Sequence, residues 1–230
     1  MRHRPDAVML FAAGFGTRMG ALTAEQPKPM IPVAGKPLID HALGLVDDYA
    51  PARAVVNLHY KPKALINHLA GRNVDLSLEE PEILETGGGL RAALPKLGTG
   101  PVFTMNTDAV WLGPNPLRLL EDAWNPEVMD ALLICIPREN AVGHAGTGDF
   151  LSDPHGRLTR GPGQVYGGVQ ILKTDELSKI KDTTFSLNLL WNRMLDEGRL
   201  FGLSYPGNWC DVGRPEGIAL AEKMIGYTGV

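Results

Sequence analysis

Two cysteines in 230 residues, Cys135 and Cys210, exclude a disulfide scaffold or a zinc knuckle, because neither belongs to a C-x-x-C or Cys/His spacing. Cys135 lies inside the apolar run ALLICIP, where a small buried hydrophobe is expected. Basic charge is also scarce. Lys and Arg number 22 against 26 Asp and Glu, a net charge of −4, so no global positive field is available to hold nucleic acid or an acidic membrane face. No apolar run approaches the ~20 residues of a membrane-spanning helix. The start MRHRPDAVMLFAAG has the basic, apolar and small-residue order of a secretory leader, but Asp6 breaks the basic part and the apolar run is short for that role. The expectation is a cytoplasmic protein without a nucleic-acid or membrane partner, in which any phosphate site is local.

What is present is an ordinary globular composition, 44% hydrophobic with 27 Gly and 18 Pro, long enough for one self-sufficient core over residues 1–230. Short apolar runs alternate with helical patterns: AVMLFA (7–12), a helix from Pro37 to Tyr49, RAVVNL (53–58), a helix from Pro62 to Leu69, and VDLSLE (74–79). A helix over 89–97, PVFTMN (101–106), a helix over 116–124 and DALLICIP (130–137) follow. This order predicts an α/β fold, a mixed but mainly parallel Rossmann-like sheet sandwiched by helices. After Pro137 the pattern changes to hairpin-like segments, GDFLSD and GRLTRG, then QVYGGVQILK, a helix over 186–197, LFGLSY, the tight segment NWCDVGRPEG and a last helix to Ile225. A nucleotide-binding lobe over 1–137 and a second lobe with a small antiparallel part over 138–230 are therefore expected within one domain.

The segment LFAAGFGTRMG, Leu10–Gly20, ends the first apolar run on glycines and one arginine. Gly14 and Gly16 permit positive φ and leave backbone N–H groups uncovered, while Arg18 adds a permanent charge with several donors, a combination suited to phosphate. A tight turn with a surface arginine is the plainer alternative. The loop lacks the Gly-Lys-Ser/Thr of a Walker loop, and Met19 stands where a dinucleotide fingerprint needs a third glycine, which also counts against a dehydrogenase. Further on, Lys28 is held between Pro27 and Pro29, whose rings restrict the backbone and aim the lysine.

Taken together, LFAAGFGTRM, LT and QPKPM.PVAGKPLI resemble the signature of the sugar-1-phosphate nucleotidyltransferases in order and spacing. Within that family the chain looks most like the short bacterial N-acetylmuramate-1-phosphate uridylyltransferases, with mannose-1-phosphate guanylyltransferases nearby. The resemblance implies the nucleotide-diphospho-sugar transferase fold. It also implies Mg²⁺-dependent transfer of a nucleoside monophosphate, from UTP by first choice, to a sugar 1-phosphate in cell-wall recycling. Arg18 and Lys28 are then the catalytic cations, and Ala12, Ala13, Gly14, Gly16, Thr17, Gly87 and Gly88 the nucleotide contacts. Glu85, Asn106, Asp149 and Gly168 fall on the sugar side, and Asp108 in MNTDAVW and Asp211 in GNWCDVG hold the metal. Each aspartate alone also reads as a turn or helix-cap residue, LETGGGL as a helix start, and His144 in GHAGTGDF as a loop histidine.

Two departures stand out: Ala21 replaces the proline that precedes Leu22-Thr23, and Thr107 replaces the glycine before the metal aspartate, placing a branched side chain where ligands would pass. The chain ends soon after its last helix, so the C-terminal left-handed β-helix of longer members is not expected, and a monomer or weak dimer is. The competing reading from another class is a catalytically silent sugar-nucleotide sensor on the same fold.

Overall fold

The computed structural model describes residues 4–228; Met1–His3, the start of the basic segment, lie outside the described residues. The first strand, β1 (Ala7–Phe11), is followed by a short ribbon of β2 (Pro32–Val33) and β3 (Lys36–Pro37) and then α1 (Leu38–Tyr49). Next come β4 (Arg53–Leu58), α2 (Pro62–Leu69), β5 (Asp75–Leu78), α3 (Glu85–Leu97), β6 (Val102–Asn106), β7 (Ala109–Leu112), α4 (Pro116–Ala123) and β8 (Ala131–Ile136). The chain continues through β9 (Ala141–Val142), β10 (Phe150–Ser152), β11 (Leu158–Arg160), β12 (Val165–Leu172), α5 (Asn188–Asp196), β13 (Leu200–Ser204), β14 (Asn208–Asp211) and α6 (Glu216–Met224).

Seven strands form the central sheet in the order β13-β8-β12-β6-β1-β4-β5. All neighbours run parallel except β12, which is antiparallel to both β6 and β8. Because side chains of a strand alternate between faces, β1 feeds two cores. Val8 and Leu10 pack with Ile39, Leu43, Leu65 and Leu120 of α1, α2 and α4. Ala7 and Met9 pack on the other face with Leu90, Leu97, Leu190 and Met194 of α3 and α5. Covering on both faces explains why the sheet strands read as unbroken apolar runs rather than alternating ones.

The expected hairpin is present as β10 and β11, closed by Asp153, whose Oδ1 accepts from the N–H groups of His155 and Arg157. A separate sheet, β7-β14-β9, lies outside the main one. The helix expected over 89–97 begins four residues earlier, at Glu85. Glycine costs little in a first turn whose N–H groups have outside partners, and here the N–H groups of Gly87 and Gly88 both donate to the Phe185 carbonyl at 2.8 and 3.1 Å. Among the described residues, no helix is long and apolar enough to cross a membrane.

Candidate active site

The carboxyl ends of β1, β4, β5 and β6 open onto one cleft of about 310 Å³, the place where an open parallel sheet offers its loops to a ligand. The first loop builds one wall. Ala12 and Ala13 are buried, Gly14 is exposed, and Gly16 turns the chain at φ +65. A Cβ on Gly16 would stand 2.8 Å from Lys28 Cβ, so only glycine lets this loop approach the lysine. Thr17–Thr23 then winds as a 3₁₀ turn kinked at Gly20, where the Thr23 hydroxyl donates to the Gly20 carbonyl at 3.1 Å. Ala21 is exposed in that turn, so the missing proline leaves a segment that the Thr23 bond still closes.

Lys28 opens a second 3₁₀ turn, Lys28–Met30, set by Pro27 and Pro29. It is 8% exposed, and its Nζ lies 2.7 Å from Asp108 Oδ2 just beyond the end of β6. Asp211 arrives from far along the chain. The antiparallel register of β14 on β7 pairs it with Ala109, and Val212 N–H donates to the Asp108 carbonyl at 3.0 Å, which brings the two aspartates side by side. A Cβ placed on Gly213 would lie 2.9 Å from both Asp211 carboxylate oxygens and 3.0 Å from Arg18 Nη1, so Asp211 and Arg18 converge on this glycine. Burial raises the Asp211 carboxyl above its ordinary range and the Asp108 charge raises it further, against the opposing pull of Lys28, Arg18 and His144.

Ten of the expected residues line the cleft: Ala12, Ala13, Gly14, Gly16, Thr17, Arg18, Lys28, Glu85, Asn106 and Asp108. Asp211 stands at its rim through Gly213. Gly168, at φ +86, packs directly behind Asn106, where a Cβ would come within 2.9 Å of the amide. Gly87 and Gly88 are not on the cleft wall: they face away, against Phe185 and Thr183, with no space for a Cβ. Asp149 is likewise elsewhere, accepting from Tyr166 N–H at 2.8 Å and tying the hairpin to β12. His144 is half-buried beside Gly146, with its Nε2 shielded and unpaired. The crowding expected of Thr107 is tempered by its hydroxyl, which donates to the Phe11 carbonyl at 2.8 Å and bolts the ends of β6 and β1 together.

Residues 8–151 match the MobA-like NTP transferase domain, which is more than half of the chain. The chain belongs to that family. This transferase is 37% identical to the N-acetylmuramate alpha-1-phosphate uridylyltransferase of Caulobacter vibrioides, over 98% of this chain and 99% of that one. It is 26% identical to mannose-1-phosphate guanylyltransferase 1 of Arabidopsis thaliana, over 90% of this chain and 61% of that longer protein. Its fold is similar to that of HddC from Yersinia pseudotuberculosis, solved with GMP-PN, at a TM-score of 0.76 and 22% identity over 94% of this chain and 98% of that chain. It is thus an enzyme of the nucleotidyltransferase class.

Several cleft residues of the transferase escaped the sequence reading: Phe11, Pro29, Asn57, Glu79, Ile83, Thr86 and Gly213. Asn57 had a visible signal, a polar side chain inside the buried run RAVVNL, and Glu79 another at the end of VDLSLE. The carboxylates of Asp108 and Asp211 offer only oxygen ligands beside the cleft, the chemistry a hard divalent cation takes. Among the described residues no group of three or more His, Cys, Asp or Glu side chains gathers to hold a metal, so a cation here would complete its shell with phosphate oxygens and water.

Proposed function

We propose that the transferase joins a sugar 1-phosphate to the nucleoside monophosphate of a nucleoside triphosphate, with UTP and N-acetylmuramate 1-phosphate as its substrates. The observation that carries this reading is the convergence of the glycine loop, Arg18, Lys28 and the Asp108/Asp211 pair at one rim of the sheet. Similarity to a uridylyltransferase along nearly the whole chain supports the choice of pair.

Both reactants are anions, so the barrier is mutual repulsion and charge growing on the oxygens around phosphorus. The attacking phosphate oxygen is already ionised and needs no base. A bond forms from it to the α-phosphorus while the α-phosphorus to β-oxygen bond breaks, releasing pyrophosphate. The Gly14–Thr17 backbone and Arg18 hold the departing β- and γ-phosphates. Lys28, within the cleft and paired with Asp108, offsets charge at the α-phosphate. Asp108 and Asp211 would hold Mg²⁺, which would supply Lewis-acid neutralisation of the phosphate oxygens. Ala12 and Ala13 face the base and ribose; Glu85 and Asn106, the latter backed by Gly168, face the sugar.

The test measures pyrophosphate release with Mg²⁺ for UTP, GTP, CTP and dTTP, each paired with the 1-phosphates of N-acetylmuramate, mannose, glucose and N-acetylglucosamine. Release is expected above all with UTP and N-acetylmuramate 1-phosphate. Release only with GTP and mannose 1-phosphate would overturn that pair and keep the reaction. Silence in every pairing would point to a non-catalytic sensor.

A further inference from the structure

The nucleotide loop and the start of α3 face each other across the cleft, and a buried polar chain joins them. Ala12 N–H donates to Asn57 Oδ1, Asn57 Nδ2 donates to Glu79 Oε1, and Leu84 N–H donates to Glu79 Oε2, each at 2.7 Å. Asn57 and Glu79 are 3% and 1% exposed, so bulk water does not replace these partners. The backbone of Glu79 is itself fixed, its N–H donating to the Leu58 carbonyl at 2.8 Å and its carbonyl bonded to the His59 ring at 2.9 Å.

The chemistry of the two side chains follows from its ends. Both terminal groups are backbone donors. The amide must therefore present its oxygen to Ala12, which leaves its nitrogen to donate, and the next group must accept on both sides, which a carboxylate does. Space is closed as well: a Cβ on Gly89 would stand 3.0 Å from Asn57 Nδ2 and closer still to Glu79 Oε1. On the far side of Leu84, the cleft residue Glu85 is held at φ +58, a conformation that non-glycine residues adopt only where surroundings enforce it.

We infer that Asn57 and Glu79 are positioning residues, a strut that sets the distance between the nucleotide loop and the Leu84–Thr86 wall and thereby the affinity for nucleotide. The link to affinity rests on the cleft being the triphosphate site; the strut itself does not.

The test uses E79Q and the double variant N57D/E79Q. Glutamine turns an N–H group toward a donor and breaks the one-way chain. In the double variant the new carboxylate accepts from Ala12 N–H and from the new amide, whose oxygen accepts from Leu84 N–H, at unchanged net charge. Amide hydrogen exchange is followed at Ala12 and Leu84 in the ligand-free protein, with KM for UTP, kcat and Tm alongside. E79Q is expected to speed exchange at both amides together and to raise KM for UTP by about tenfold with kcat within about threefold, the scale of one lost buried bond. The double variant is expected to recover both. Faster exchange at Leu84 alone, no recovery in the double variant, or a Tm loss with KM unmoved would overturn the strut. Where the wild type turns over no nucleotide, the reaction assignment fails, and the paired exchange and its recovery decide the strut without it.

Discussion

Aspartates meet lysine and arginine at both ends of the central sheet, with opposite results. At the amino end of β8, Asp130 accepts from Arg199 Nε and Nη2 at 2.8 and 2.9 Å and from Lys173 Nζ at 2.8 Å. Burial pushes its carboxyl up, but the bonds and charges from Arg199 and Lys173 outweigh this and hold it below the usual carboxylate range. At the other end, in the cleft, Lys28 is committed to Asp108, and Asp211 is left half-buried beside a like charge with its carboxyl raised. One cluster is complete in itself; the other carries an imbalance that a cation and a triphosphate would settle. The same residue types thus make a rivet in one place and, under the proposed function, a receptor in the other, and the balance of partners distinguishes them.

Asp211→Asn gives the largest contrast. Turnover is expected to vanish while Tm holds or rises, because the neutral amide relieves the repulsion from Asp108; a pyrophosphate-release assay beside a melting curve reads both. Surviving turnover would remove Asp211 from the metal assignment. Asp130→Asn is expected to do the reverse, keeping turnover and lowering stability by about 2 kcal/mol at neutral pH through the loss of charge-assisted bonds. The sign of its pH dependence follows from a carboxyl depressed in the folded state: its stabilisation is present above the unfolded pKa and is lost as pH falls through the folded one. Denaturant midpoints of the wild type and Asp130→Asn should therefore lie furthest apart near neutrality and converge in acid. The smallest effect concerns Cys135, outside both clusters. Burial raises its thiol to about 12, and the Asp149 charge adds to the shift. A thiol reagent at neutral pH is expected to leave it unmodified until the protein is unfolded; rapid labelling of the native protein would show the core here to be open.

Local signals carried most of the architecture. RAVVNL and PKALINHL begin and end where β4 and α2 do, since β-branched density and a proline at the first helical position are properties of the segment itself. The Lys28 side chain was legible for the same reason, through its two prolines. What escaped depends on partners distant in sequence. Strand β7 follows Asp108 at once and is a strand only because Asn208–Asp211 pairs with it. Gly87 and Gly88 look like ligand contacts in sequence, yet their bare backbone admits the Thr183–Phe185 segment. Asn57 and Glu79 show as polar residues out of place, but their shared chain exists only once β4, β5 and α3 have met.

Strand β12 has a mechanical consequence. By running against its neighbours between β6 and β8, it stitches the later part of the chain into the backbone ladder that carries the glycine loop. The central sheet is one continuous plate. Swinging the halves apart would tear rows of main-chain bonds, so any tightening around bound reactants must come from the loops above the plate, not from a hinge through it.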